Sequence, residues 1–200
     1  MGKKQDQLVA FLQNRGGISN YSELRMAGFD KFTIKACISA HLVERIDRGI
    51  YSLLSGISVA NPDLVTVALK IPKGVICLLS ALSFHGATNE VSPYVDVAIA
   101  RGSHESVISY PPVRFYHFDP VMWAIGVENH NIEGHQIKVY SLTKTVVDCF
   151  KFRNRFGVDV AREALKIAFN EKNADPKEIM QYAKICRVDK IIKPMLETLL

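Results

Sequence analysis

The stretch LVERIDRGIYSLL, residues 42–54, decides the predicted architecture of the N-terminal part of the chain. Two short runs of alternating apolar residues flank Asp47-Arg48-Gly49, a pattern typical of a β-hairpin. Gly49 can take the positive φ angle that such a turn needs. The apolar side chains that can face neighbouring helices are Val43, Ile46, Ile50 and Leu53.

Three short helices are predicted before this hairpin. The first runs from about Lys4 to Asn14, where apolar residues recur at helical spacing. The second begins after Asn20, whose side chain can cap it in a reciprocal arrangement with Glu23. Asp30 can cap the third helix, which covers residues 31–40.

Helices joined by a glycine-containing turn and followed by a hairpin predict a winged helix-turn-helix. In such a domain the third helix enters a major groove, and hairpin arginines contact phosphates or a minor groove. A protein-interaction module with a solvated hairpin is the alternative that the same pattern allows. The residues predicted to contact DNA are Lys31, Phe32, Lys35, Ala36 and Ser39 of the third helix, and Arg45 and Arg48 of the hairpin.

The charge distribution favours an anionic partner for this segment. Residues 1–55 hold eight basic and five acidic side chains, within a chain of net charge +5. A basic excess on a small domain is a mild indication of nucleic-acid binding. The small, polar segment Ser55–Ser58 predicts a linker, so we expect a DNA-binding domain over 1–55 and a second domain over 57–200.

The second domain is predicted to mix strands and helices and to end in helices. Val95, Val97 and Ile99 alternate with their neighbours as in a strand, and Glu133-Gly134 predicts a hairpin turn. Asn61 before Pro62 and Ser141 before LTKTVVDCF predict capped helices. The fold class expected is therefore α+β, with an N-terminal winged helix-turn-helix and a larger mixed α/β domain.

No catalytic residue, metal site or cofactor is predicted in this second domain. None of the six histidines lies at a metal-ligand spacing from another His or Cys. Asp96 on a strand resembles part of a nucleotidyltransferase metal site, but Ala98 stands where a second carboxylate is needed. We therefore expect a protein that is not an enzyme, and a nucleotidyltransferase-like or nuclease-like enzyme is the weaker alternative.

The location expected is the cytoplasm. The four scattered cysteines in apolar surroundings predict reduced core thiols. No signal peptide is predicted after Lys3-Lys4, and the longest apolar run, residues 74–84, is shorter than the roughly 20 residues of a membrane span.

Four stretches carry a family resemblance: GGISNYSELRMAGFD (16–30), the hairpin itself, LLSALSFHGA (78–87) and IEGHQIKVYSLTKTVVDCF (132–150). Over about residues 5–170 the chain resembles AbiEi-type antitoxins of abortive-infection (type IV) toxin–antitoxin systems and related predicted regulators of viral defence. The matching residues are Arg48, Gly49 and Tyr51 of the hairpin, Ser80, Ala81, Leu82, His85 and Gly86, and Gly134, Ile137 and Asp148.

The resemblance implies a transcriptional repressor that is also an antitoxin in phage defence. The winged helix would bind inverted repeats of double-stranded DNA in its own promoter. The second domain, with the motif residues Ser80, His85, Gly86 and Asp148, would counteract a nucleotidyltransferase-like toxin, functionally if not by stable contact. Neither role needs catalysis or a cofactor. A stand-alone regulator without a toxin partner is the alternative.

Overall fold

Helices and two β-sheets build this α+β chain, which a computed structural model describes over residues 2–56 and 59–199. The α+β class is thus confirmed. Ile57 and Ser58 of the predicted linker lie outside the described residues. Over the described ranges, no helix combines the length and apolar character needed to cross a membrane.

The chain divides into two compact units, each built from several segments. The first contains the described part of Met1–Lys73 together with Ser106–Val113 and Asn129–Ile137. The second contains Gly74–Glu105, Arg114–Glu128 and the described part of Lys138–Leu200. The first unit therefore holds more than the domain predicted over residues 1–55, and the boundary at residues 55–57 stays a prediction.

The first unit begins with three helices, and the second and third have the caps that the sequence predicted. The side chain of Asn20 accepts a hydrogen bond from the Glu23 N–H at 2.8 Å, and Glu23 reaches back to the Asn20 N–H. Asp30 accepts a hydrogen bond from the Thr33 N–H at 2.8 Å. The elements are α1 (Lys3–Gln13), β1 (Ile18–Asn20), α2 (Tyr21–Met26), α3 (Lys31–Ser39), β2 (Val43–Asp47), β3 (Ile50–Leu53) and α4 (Pro62–Lys70).

The predicted hairpin is confirmed, because β2 and β3 pair antiparallel. It belongs to a three-stranded sheet of order β1-β3-β2, and the short β1 was not predicted. A register shift between Arg45 and Asp47 places Asp47 at the buried end of β2 and leaves Ile46 only half-buried. The predicted inward position of Ile46 is thus only partly right, because the bulge turns Asp47 inward instead.

The core of the first unit lies between its helices and the hairpin. It is formed by the buried side chains Leu8, Leu12, Leu24, Phe29, Ile34, Cys37, Val43 and Leu53. The predicted side-chain cap of α4 is wrong, since Asn61 has a left-handed backbone (φ 54°) and makes no capping hydrogen bond.

The second sheet has the strand order β6-β5-β4-β8-β7. Its strand β4 pairs antiparallel with β5 and parallel with β8. The strands are β4 (Val75–Ile76), β5 (Val95–Ala100), β6 (Val113–Phe118), β7 (Val127–Ile132) and β8 (His135–Tyr140). The predicted turn between β7 and β8 is confirmed, with positive φ angles at both Glu133 and Gly134.

Several helices of the later chain pack against one of their number, α7 (Leu142–Lys151), whose residues Val146, Cys149 and Phe150 are fully buried. The Ser141 side chain caps α7, as predicted. All four cysteines are buried and free, as expected for core thiols. These helices are α5 (Leu78–Phe84), α6 (Pro120–Ala124), α7 (Leu142–Lys151), α8 (Arg153–Phe156), α9 (Val158–Asn170), α10 (Pro176–Cys186) and α11 (Asp189–Glu197).

Candidate nucleic-acid interface and the motif residues

The outward face of α3 carries the side chains that the sequence selected for DNA contact. Ile34 and Cys37 turn into the core, and α3 packs against β2. Phe32 is 70% exposed, and the Lys31 ammonium lies 5.2 Å from the centre of its ring. The exposed residues of this face are Lys31, Phe32, Lys35, Ala36 and Ser39. No acidic residue occurs within α3, so its exposed face is neutral or positive.

The hairpin carries the two predicted arginines, Arg45 and Arg48, both exposed to solvent. Arg45 is partly committed to the hairpin, because its Nε donates a hydrogen bond to the Asp47 carbonyl oxygen at 3.2 Å. Arg48 keeps its guanidinium outward, while its backbone N–H donates to the Asp47 carboxylate. The hairpin therefore presents two exposed guanidinium groups, of which that of Arg45 is restrained by a hydrogen bond to the hairpin backbone.

Asp47 holds the tip of the hairpin in place, a role that the sequence did not predict. Its carboxylate accepts a hydrogen bond from the Ser109 N–H at 3.1 Å and lies 3.4 Å from the Lys70 ammonium. Lys70 also donates to the Arg48 carbonyl oxygen at 2.9 Å. Burial tends to raise the pKa of Asp47, but the N–H groups of Arg48 and Ser109 and the Lys70 charge outweigh burial and lower it. The hairpin tip is thus held by contacts with the Arg48 N–H, the Ser109 N–H and the Lys70 ammonium group.

A second set of contacts holds the turn after α1. The His135 side chain donates from Nε2 to the Arg15 carbonyl oxygen at 2.9 Å. Arg15 pairs with Glu23 at 2.6 Å, so its charge is already compensated. A Cβ atom at Gly16 would lie 2.5 Å from Val59, and its φ of 65° also favours glycine. These contacts stabilise the start of β1 and α2.

The motif residues Ser80, His85 and Gly86 lie in and after α5 and connect it to neighbouring strands. Ser80 Oγ accepts a hydrogen bond from the Asp96 N–H at 2.8 Å. His85 donates from Nε2 to the Tyr140 carbonyl oxygen at 2.8 Å. Gly86 ends the helix with a φ of 62°. In this geometry Ser80 and His85 bond α5 to two strands of the second unit, and Gly86 allows the chain to turn after the helix.

Asp148, the remaining motif residue, forms a fully buried ion pair with Lys144. The Lys144 ammonium lies 2.6 and 2.5 Å from the two carboxylate oxygens and 4.4 Å from the centre of the Tyr140 ring. Burial raises the pKa of Asp148 to about 6, and the Lys144 charge opposes that shift without cancelling it. Lys144 was missed, although a Lys four residues before Asp148 on the apolar stripe of α7 was the available signal.

Asp96, which was considered for metal binding, pairs instead with an arginine. Its Oδ1 accepts a hydrogen bond from Arg114 Nε at 2.8 Å, and Arg114 Nη2 forms an ion pair with the same oxygen at 2.8 Å. Burial raises the pKa of this carboxyl although Arg114 lowers it. In the described part of the chain, no group of three His, Cys, Asp or Glu side chains is arranged to hold a metal ion.

Comparison with known proteins places no further constraint on the site. No family model matches the chain, and no curated protein shows significant similarity to it.

Proposed function

We propose that the first unit contains a winged helix-turn-helix that binds duplex DNA, and that the protein is a transcriptional repressor. The observation that carries the proposal is the exposed face of α3, free of acidic residues and preceding a hairpin with two exposed arginines. Two of the nearby acidic groups are engaged elsewhere, since Asp30 caps α3 and Asp47 is buried under the hairpin tip, whereas Glu44 of β2 is exposed. Such a surface suits a polyanion.

The proposed docking places α3 in a major groove. Lys35 and Ser39 would hydrogen-bond base edges, and the apolar side chains of Phe32 and Ala36 would contact thymine methyl groups. Arg45 and Arg48 would bind phosphates or an adjacent minor groove and so position the helix. The anchoring of the tip by Asp47 supports this role, because a fixed hairpin loses little conformational freedom on binding.

The resemblance to AbiEi-type antitoxins supports a second role, in which the protein represses its own operon and counteracts a nucleotidyltransferase-like toxin in phage defence. The cytoplasm is the compartment proposed for both roles, and neither needs catalysis or a cofactor. Asp148 is fully buried and Ser80 and His85 bond to neighbouring strands, so these motif residues would act by maintaining the fold and not by touching a toxin. Absence of a toxin gene next to this one would favour a stand-alone regulator.

The test of DNA binding is an anisotropy titration of the full chain against a labelled duplex from its upstream region, at several salt concentrations. We expect binding that weakens with salt, and a double variant Arg45→Gln/Arg48→Gln that binds more weakly. If each arginine neutralises one phosphate, the slope of log affinity against log salt decreases in magnitude by about 2. The control is Lys166→Gln/Lys177→Gln, which removes the same charge from exposed positions of α9 and α10.

The double arginine variant binding as tightly as the wild type at every salt concentration would contradict the proposed docking. Weaker binding by the control variant to the same extent would show that net charge alone explains the effect.

A further inference from the structure

A cavity of about 500 Å³ in the second unit brings together basic side chains from three distant parts of the chain. Arg101 follows β5, Lys151 ends α7, and Arg187 follows α10. We propose that this cavity binds a small phosphate-bearing molecule of nucleotide size. The proposal concerns a site separate from α3 and does not depend on DNA binding.

The basic side chains at the cavity are exposed, and the charge of Lys151 lowers the pKa of Asp148. Neither Arg101, Lys151 nor Arg187 forms an ion pair within the part of the chain that the structure describes. The carboxylate of Asp119, which also lines the cavity, caps α6 by accepting a hydrogen bond from the Val121 N–H at 3.2 Å. Three basic residues that line one cavity favour a multiply charged anion, for which guanidinium and ammonium groups are the strong hydrogen-bond donors.

Compensation of helix ends explains only part of this arrangement. Lys151 and Arg187 lie at the C-terminal ends of α7 and α10, where positive charge is favourable. Arg101 follows a strand, and its backbone N–H donates to the Phe118 carbonyl oxygen at 2.7 Å, which holds the main chain at the edge of the cavity. Arg187 has a left-handed backbone (φ 59°), a conformation more usual for Gly or Asn at a helix end. An anion in the cavity would give both arginines a common partner.

Apart from His117 and Asp119, the rest of the lining is apolar and suits an organic group attached to the phosphates. Phe118 and Phe152 stack with ring centres 5.2 Å apart, and Val121 at the cavity is 61% exposed. Ligand cavities of about 300–1,000 Å³ combine such apolar surfaces with a few polar anchors. The cavity therefore has the size for a nucleotide, with cations for its phosphates and the half-buried ring of Phe152 for its base.

The buried ion pair lies directly behind this lining. Lys144 Nζ is 5.0 Å from the centre of the Phe118 ring, and Cys186 Sγ is 3.9 Å from Asp148 Oδ1. Phe118 and Cys186 both line the cavity. The pair thus packs against two of the residues that line the cavity.

Isothermal titration calorimetry of the full chain with ADP, GDP, CDP and UDP tests the proposal, with adenosine as the uncharged comparison. We expect at least one diphosphate to bind and adenosine not to bind. Each lost charge-assisted contact weakens binding by about tenfold, so Arg101→Gln/Lys151→Gln should weaken it by about a hundredfold. Arg187→Asn, which tolerates the left-handed backbone, should weaken it by about tenfold. The control Lys166→Gln/Lys177→Gln should bind like the wild type.

Absence of binding by all four diphosphates would overturn the proposal, as would equal affinities of the wild type and a folded Arg101→Gln/Lys151→Gln variant. Circular dichroism and thermal unfolding establish that the variants are folded. Duplex-DNA affinity of this variant should equal that of the wild type. If the variant instead loses DNA binding and retains the nucleotide, these cations belong to the DNA interface and the proposed site is wrong.

Discussion

Lys144 and Asp148 form an ion pair with both side chains completely shielded from solvent, at 2.6 and 2.5 Å from ammonium to carboxylate oxygens. The aromatic rings of Tyr140 and Phe118 cover the ammonium group at 4.4 and 5.0 Å. Each charge therefore depends on the other, because water is not available to solvate either one alone. The centre of α7 is thus stable only while both partners are present.

Asp148→Asn should lower the free energy of unfolding by about 3–5 kcal/mol at neutral pH, because it leaves Lys144 buried without a carboxylate. Urea unfolding followed by circular dichroism measures the change. Lys193 and Glu197 give the matched control, with the same i, i+4 spacing at 3.8 Å but on the exposed surface of α11. Glu197→Gln should change stability by about 0–1 kcal/mol. Equal losses in the two variants would contradict the importance of burial.

The carboxyl of Asp148 should titrate at about pH 6, well above its ordinary pKa of 3.8, because it is buried. The folded state then binds more protons than the unfolded state between these two pH values, so the contribution of this group to stability falls as pH rises from 3.8 to about 6. Carbon-13 NMR of the carboxyl group measures the pKa directly. Lys144→Gln should raise it further, since Lys144 lowers it. A titration near pH 4 in the wild type would exclude the effect of burial.

Local features of the fold were predictable from the sequence, and buried charges were not. The caps Asn20 and Asp30 and the hairpin around Gly49 depend on neighbouring residues, which the sequence displays directly. Asp47 looked like a turn residue, but its burial depends on Ser109, which is 62 residues away. The cavity is likewise assembled from segments around residues 101, 151 and 187. Sequence patterns of a few residues cannot reveal such long-range contacts, because tertiary packing determines which distant segments lie together.

Asp47→Asn should lower the free energy of unfolding by about 1–3 kcal/mol at neutral pH, since it weakens buried hydrogen bonds and removes the partner of Lys70. The pKa of Asp47 is lowered in the folded state, so its stabilising contribution is present above about pH 4 and disappears as pH falls through the folded pKa. Urea unfolding at several pH values follows this loss. Asp159→Asn, at a side chain 90% exposed, should have little effect at any pH. A pH-independent effect of Asp47→Asn would contradict the assigned charge state.

Lys35 and Ser39 should determine which DNA sequence is preferred, because they are the polar side chains on the exposed face of α3 after its first turn. Lys35→Ala and Ser39→Ala should each change the affinity difference between the operator and altered duplexes by about 1–3 kcal/mol. Competition anisotropy with a set of single-base changes measures this difference. Arg48→Gln serves as the comparison, since loss of a phosphate contact should weaken all duplexes alike. A uniform loss in the Lys35 variant would show that Lys35 contacts phosphate.

DNA binding and antitoxicity should be separable by point variants of the full chain. We expect residues 57 onward to be sufficient for antitoxicity and residues 1–55 to be sufficient for operator contact. The first compact unit also contains Ser106–Val113 and Asn129–Ile137, so a truncation near residue 57 would remove part of that unit from the rest. Point variants therefore test the division with less disturbance than truncation. Arg45→Gln/Arg48→Gln changes only exposed side chains of the hairpin. In cells that carry a neighbouring nucleotidyltransferase-like toxin, this variant should lose repression of a promoter reporter and still allow growth.

Asp148→Asn should retain repression and lose growth protection at a temperature where the first unit stays folded, because the substitution destabilises the core of the second unit. Reporter activity and growth are measured in the same cells, with protein levels compared by immunoblot. Loss of growth protection in the arginine variant at a normal protein level would show that the toxin is controlled through the DNA-binding surface.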